Sequence, residues 1–84
     1  MPRQILIVDD HRIFAEGLAS LFKLRRRPEE VVCESDPAAV VAFATARQPE
    51  IAIVDVSMPG WSGPEAVKAI ITTSPATRVI GISV

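Results

Sequence analysis

The sequence has little of what several protein classes require. It contains a single cysteine, so it cannot form an internal disulfide, and a cytoplasmic, reducing location is the simpler expectation. Its apolar runs are short, and the first is broken at Asp9 and Asp10, so the sequence predicts neither a membrane span nor a signal peptide. Nine basic residues against ten acidic ones give a net charge of -1. That balance is not the charge expected of a nucleic-acid-binding surface.

The composition is nevertheless that of a folded chain. Hydrophobic residues make up 49% and charged residues 23% of the sequence, which is ordinary for a packed domain and unlike a disordered one. With 84 residues there is room for one small domain at most.

Four short runs rich in Ile and Val predict β-strands, at residues 5–8, 31–33, 51–54 and 79–82. The runs are continuous rather than alternating, as in parallel strands buried on both faces. Between them, apolar residues recur every three or four positions, which predicts three helices. Asp36 followed by Pro37 predicts the cap and first turn of the second helix, and Gly63 with Pro64 does so more weakly for the third.

The predicted order is therefore β-α-β-α-β-α-β, which favours a parallel sheet covered by helices. Because the chain stops on a strand, we interpret residues 1–84 as an incomplete α/β domain.

Acidic and hydroxyl side chains follow the predicted strands. Asp9 and Asp10 come after the first strand, Asp55 after the third, and Ser83 ends the fourth. In a parallel sheet these positions converge on one edge, where such folds bind ligands. Three clustered carboxylates stay ionised together only with a cation among them, and oxygen ligands suit Mg²⁺.

At residues 55–63 the sequence resembles the receiver domain of bacterial two-component response regulators. The resemblance is carried by residues 5–10, by Asp55 with Gly63 and the Met-Pro-Gly run at 58–60, and by Ser83. Residues 8–11, followed by Phe14, Gly17 and Leu18, are most similar to the subfamily with a LuxR-type helix-turn-helix output. The resemblance implies a flavodoxin-like sheet of strand order 2-1-3-4, here the N-terminal part of a receiver.

The resemblance also implies roles for individual residues. Asp55 would accept a phosphoryl group from a sensor histidine kinase or a small acyl phosphate. Asp10 would bind Mg²⁺ directly, Asp9 through water, and Ser57 through its backbone carbonyl. Ser83 would contact the phosphoryl group and act as the switch. The implied function is signalling rather than enzymatic, with DNA bound only through an output domain outside this chain.

The family's lysine lies on a fifth strand, and this chain ends before it. Lys23 and Lys68 fall on predicted helices and cannot replace it, so we expect this 84-residue form to accept phosphate poorly. The alternative is a phosphorylation-independent module for self-association or partner binding. An aspartyl phosphatase is disfavoured because Ser57 stands where a second Asp is needed. A dinucleotide-binding fold is disfavoured because residues 9–11 replace a glycine-rich turn.

Three further expectations complete the interpretation. His11 is taken as a loop histidine outside the site, and Cys33 as a small buried strand residue. Residues 77–84 are expected to form an exposed apolar sheet edge, and part of the first helix's apolar stripe, including Phe14 and Leu21, is expected to lack cover. Self-association through that edge is the predicted consequence.

Overall fold

The structure is a computed structural model that describes residues 4–24, 30–58 and 60–82. Along the chain its elements are β1 (Ile5–Val8), α1 (Arg12–Lys23), β2 (Val31–Glu34), α2 (Pro37–Arg47), β3 (Ile51–Asp55), α3 (Gly63–Thr73) and β4 (Arg78–Ile82). The predicted order is confirmed. The boundary that matters for function is that of β3, which includes Asp55 as its last residue instead of ending before it.

The four strands form one parallel sheet of order β2-β1-β3-β4, so the flavodoxin-like topology is confirmed. At the carboxyl edge Val8 lies opposite both Glu34 and Val54, and Asp55 lies opposite Ile82. This register brings the residues that follow β1 next to the end of β3.

Helices cover both faces of the sheet. On one face, α2 and α3 pack through Val40, Ala66 and Ile70 onto side chains of β1 and β3. On the other face, α1 packs through Ala15 and Ala19 onto β1 and β2. The central strand β1 is fully buried along its length, which fixes the position of the loop that follows it.

The two edge strands differ from the two central ones. The continuous apolar runs predict burial on both faces, and this holds for β1 and β3, but residues of β2 and β4 are partly exposed. The reason is that the buried contacts of the helices lie mainly on β1 and β3, which leaves the side chains of the edge strands less covered. Of the exposed edge expected at residues 77–84, the described part is exposed at β4, where Ile80 is 49% exposed, but Thr77 is buried and residues 83 and 84 lie outside the described residues.

Cys33 lies on the β2 edge and is exposed, so the prediction of a buried residue is wrong. Its Sγ donates to the carbonyl oxygen of Ala15 at 3.7 Å.

The helix starts show local capping chemistry. As predicted, Asp36 caps α2, its Oδ2 accepting from the Ala39 amide at 3.0 Å. For α3 the predicted cap at Gly63 is wrong, because Ser62 caps the helix. Ser62 Oγ accepts from the Glu65 amide at 3.2 Å, and Glu65 Oε1 accepts from the Ser62 amide at 3.4 Å. This is a capping box, which outweighs the conformational freedom of the following glycine.

Within the described ranges, no helix combines the length and the apolar character that crossing a membrane requires.

Candidate functional site

The carboxyl edge of β1 and β3 carries a compact acidic cluster. Asp9 and Asp10 follow β1, Asp55 ends β3, and His11 opens the turn into α1. One potential ligand atom from each of these four residues lies within 4.8 Å of the others. The structure thus brings together the three predicted carboxylates, whereas Ser83 lies outside the described residues.

Asp55 is held in a defined orientation. The residue is only 1% exposed, and its Oδ1 accepts from the Ser57 amide at 2.9 Å and from the Ser57 hydroxyl at 2.8 Å. Burial alone would raise the pKa of Asp55, but the hydrogen bonds from the Ser57 amide and hydroxyl, with a smaller effect of His11, lower it. The carboxyl group is therefore an anion at neutral pH, with Oδ2 directed toward His11.

Ser57 serves the site here through its amide and hydroxyl groups. The role expected for its carbonyl oxygen stays a prediction.

The two carboxylate oxygens of Asp9 differ in their hydrogen bonding. Its Oδ1 accepts from the His11 amide at 2.8 Å, which closes the turn before α1. Its Oδ2 is buried without a hydrogen-bond partner. Leaving a buried carboxylate oxygen unpaired is costly, so this atom is suited to a cation.

Asp10 is the most accessible of the three carboxylates. Its side chain is 35% exposed, whereas those of Asp9 and Asp55 are inaccessible to solvent. Asp10 therefore offers an oxygen at the boundary between the cluster and solvent.

His11 stands at the N-cap position of α1, as expected of a histidine at the beginning of a helix, and its ring lies against the cluster that was predicted from the sequence without it. Its Nδ1 lies 3.1 Å from Asp9 Oδ1, 3.2 Å from Asp10 Oδ1 and 3.3 Å from Asp55 Oδ2. The hydrogen bond to Asp9 raises the pKa of His11 most, followed by the charge of Asp10 and the bond to Asp55. The sequence signal that could have placed His11 at the cluster is its position two residues after Asp9. An aspartate side chain commonly accepts a hydrogen bond from the backbone amide at that position.

The cluster has the chemistry of a hard-cation site. Two unit charges 4.8 Å apart repel by on the order of 3 kcal/mol at an effective dielectric constant of about 20. Three such carboxylates therefore favour a positively charged partner. The oxygen donors and the unpaired Asp9 Oδ2 fit Mg²⁺, which prefers oxygen ligands and keeps several waters.

Neither lysine is placed to substitute for the family's strand lysine. Lys23 is in the last turn of α1, and Lys68 lies in the middle of α3 beside Trp61 and Glu65. Both are on helices, as expected.

The comparisons with known proteins agree with this geometry. The family described as the response regulator receiver domain matches residues 5–84. The chain is 30% identical over 81 residues to the transcriptional regulatory protein DegU of Brevibacillus brevis, an alignment covering 96% of this chain and 34% of DegU. It thus spans about a third of the length of that curated relative.

Two solved structures are similar as well. The signal receiver domain of NarL from Mycobacterium tuberculosis is 30% identical with a TM-score of 0.75, the match covering 98% of this chain and 68% of that one. A LuxR-family two-component response regulator from Aurantimonas is 30% identical with a TM-score of 0.75, covering 99% and 59% respectively. The matched family, the strand order and the acidic edge lead to one conclusion: this chain belongs to the response regulator receiver domain family.

Proposed function

We propose that this chain is a phosphoacceptor signalling domain of a two-component system, taking a phosphoryl group on Asp55. The observation that carries the proposal is a buried, oriented Asp55 carboxylate beside Asp9 and Asp10 at the end of the sheet. The phosphodonor would be a sensor histidine kinase or a small acyl phosphate.

Four residues would hold Mg²⁺ in this proposal: Asp10 and Asp55 directly, Asp9 through water, and Ser57 through its carbonyl oxygen. When bound, the ion neutralises charge between the anionic nucleophile and the anionic donor. The unpaired Asp9 Oδ2 and the closeness of the carboxylates support this assignment.

The chain's own contribution is to position the nucleophile. Ser57 fixes Asp55 Oδ1 through two hydrogen bonds, which limits rotation of the carboxylate. In the transfer, an Asp55 oxygen forms a bond to phosphorus while the bond from phosphorus to the donor breaks, its electron pair leaving with the donor. Ser83 would then hydrogen-bond the phosphoryl group and report it to the neighbouring surface.

The wider context belongs to the same proposal. Residues 1–84 would be the N-terminal part of a receiver, because the chain covers 68% of the solved NarL receiver domain. The output would be a LuxR-type, DNA-binding transcription regulator, a proposal supported by the likeness to the LuxR-family response regulator from Aurantimonas and to the transcriptional regulatory protein DegU. The receiver would signal without being an enzyme, and a cytoplasmic location is in keeping with the free thiol of Cys33.

A second candidate function is self-association without phosphorylation. It is favoured by β4, which pairs with β3 alone and leaves Ile80 half-exposed. An unprotected strand edge is a template for pairing with another chain.

Acetyl phosphate tests the first proposal. We expect slow, Mg²⁺-dependent addition of one phosphoryl group by intact-mass measurement, with borohydride reduction and peptide mapping locating it at Asp55. Labelling should disappear in Asp55→Asn. The matched control is Asp36→Asn, which removes one carboxylate outside the cluster while asparagine still caps α2.

Equal labelling of wild type and Asp55→Asn would refute the assignment of the nucleophile. A folded wild-type chain that takes no phosphate in saturating Mg²⁺ would favour the second candidate.

A further inference from the structure

The cluster's two innermost carboxylates are closed off from solvent. The side chains of Asp9 and Asp55 have no solvent-accessible surface, although both belong to the proposed metal site. Since even a water-sized sphere does not reach them, a hydrated ion cannot do so unless some group moves.

His11 is the group placed to move. Its Nδ1 lies 3.1 to 3.3 Å from one oxygen of each of the three aspartates, and its side chain is 56% exposed. Among the contacts of the described residues, it is the one side chain that touches all three carboxylates and also faces solvent. The ring therefore contacts buried side chains of Asp9 and Asp55 and is itself open to solvent.

The ring can leave without unfolding the turn beneath it. The backbone amide of His11 donates independently to Asp9 Oδ1 at 2.8 Å, and α1 begins only at Arg12. Rotation about the side-chain bonds of His11 breaks the Nδ1 contacts and keeps this amide bond. The movement thus requires a rotamer change rather than a backbone rearrangement.

We propose that the His11 ring occupies the cation position of the acidic cluster and gates it, so that the ring must swing out before a divalent ion binds. The inference rests on the proposed metal site. Because the ring and the ion compete for the carboxylates of the cluster, the apparent metal affinity equals the intrinsic affinity multiplied by the fraction of molecules with the ring outside. His11 is accordingly a positioning residue that sets the affinity of the site, not a ligand.

Calorimetric titration with Mg²⁺ of the wild-type chain, His11→Ala and Arg12→Ala tests the gate. If the ring occupies the site in about 70 to 90% of molecules, His11→Ala should bind Mg²⁺ about three- to tenfold more tightly. Arg12→Ala is the control for lost positive charge, because Arg12 is exposed, neighbours His11 and pairs with Glu16 instead of the cluster. Its affinity should change by less than about twofold, in line with the weak effect of screened surface charges.

Nuclear magnetic resonance of the ring supplies an independent readout, since the chain has one histidine. In the wild type, saturating Mg²⁺ should shift the imidazole signals toward those of a solvated ring. Circular dichroism melting of each variant establishes that it is folded.

The possible failures are distinguishable. Equal affinities of wild type and His11→Ala, or unmoved ring signals on saturation, overturn the gate and leave the metal site standing. Weaker binding by His11→Ala overturns it too and makes the imidazole a ligand. Absence of binding in all three folded proteins overturns the metal site itself, and the gate with it.

Discussion

At the scale of single residues, an exposed side chain can still have a pKa that is shifted by partial burial. Cys33 is exposed on the β2 edge, yet partial removal from water raises the pKa of its thiol. Since only the thiolate reacts with an alkylating agent, a raised pKa leaves less reactive sulfur at a given pH.

We therefore expect folded protein to react with iodoacetamide more slowly at pH 7.5 than the same chain unfolded in urea. The midpoint of its rate-against-pH curve should also be higher. Mass spectrometry measures the reaction at one site, because the chain has one cysteine. A folded-state midpoint at or below the unfolded one would contradict the burial effect.

The three aspartates of the cluster were predictable residue by residue, whereas His11 was not. Positions at strand ends follow from counting along Ile- and Val-rich runs, and parallel pairing then brings Asp9, Asp10 and Asp55 together. The place of the His11 ring depends on a side-chain rotamer and on a turn closed by Asp9. Neither of them produces a recurring pattern of residues that could be read from the sequence.

At the scale of elements, the start of α3 packs closely against Val56, the residue that follows Asp55. A Cβ atom on Gly63 would lie 2.7 Å from Val56 Cβ and 2.9 Å from Val56 Cα, so the glycine allows the helix to approach the residue after Asp55. A side chain here must displace backbone next to Asp55.

Gly63→Ala should therefore lower the free energy of unfolding by about 1 to 3 kcal/mol, the usual cost of overpacking. Gly17→Ala is the matched control. Gly17 lies within α1, and an added methyl group there would meet open space, so alanine should stabilise by up to about 1 kcal/mol. Urea unfolding followed by circular dichroism measures both. A Gly63→Ala variant as stable as the wild type would show that α3 can retreat without strain.

The elements themselves were largely predictable, and the exceptions have physical causes. A run of Val and Ile predicts a strand but not its place in the sheet, so the exposure of β2 and β4 became visible only with the strand order. The start of α3 was predicted one residue too late. The glycine and proline at 63 and 64 were taken as the cap and the first turn, whereas the capping box of Ser62 and Glu65 sets the start of the helix.

At the scale of the whole molecule, apolar surface is left uncovered on the β4 edge and on α1. Ile80 is 49% exposed, and Leu21 and Phe14 on α1 are 64% and 39% exposed. Burying such surface against a second chain is favourable at about 25 cal/mol per Å² of apolar area.

We expect the chain to form a dimer or larger assembly at micromolar concentration, measured by light scattering coupled to size exclusion. Ile80→Lys should shift it to monomer, since a charged edge residue opposes strand pairing. Ile71→Lys is the control, because Ile71 has the same exposure of 49% but lies on α3. A wild-type monomer that unfolds cooperatively would contradict this expectation.

The central claim for the molecule is that its acidic edge is a magnesium-dependent phosphoacceptor site, and one calorimetric comparison tests it most directly. Wild type and Asp10→Asn are titrated with Mg²⁺, and both are melted in the absence of Mg²⁺. The account predicts one binding site in the wild type and none in Asp10→Asn, whose melting temperature should be equal or higher because repulsion among the carboxylates is relieved. An unchanged Mg²⁺ affinity in Asp10→Asn would contradict the account.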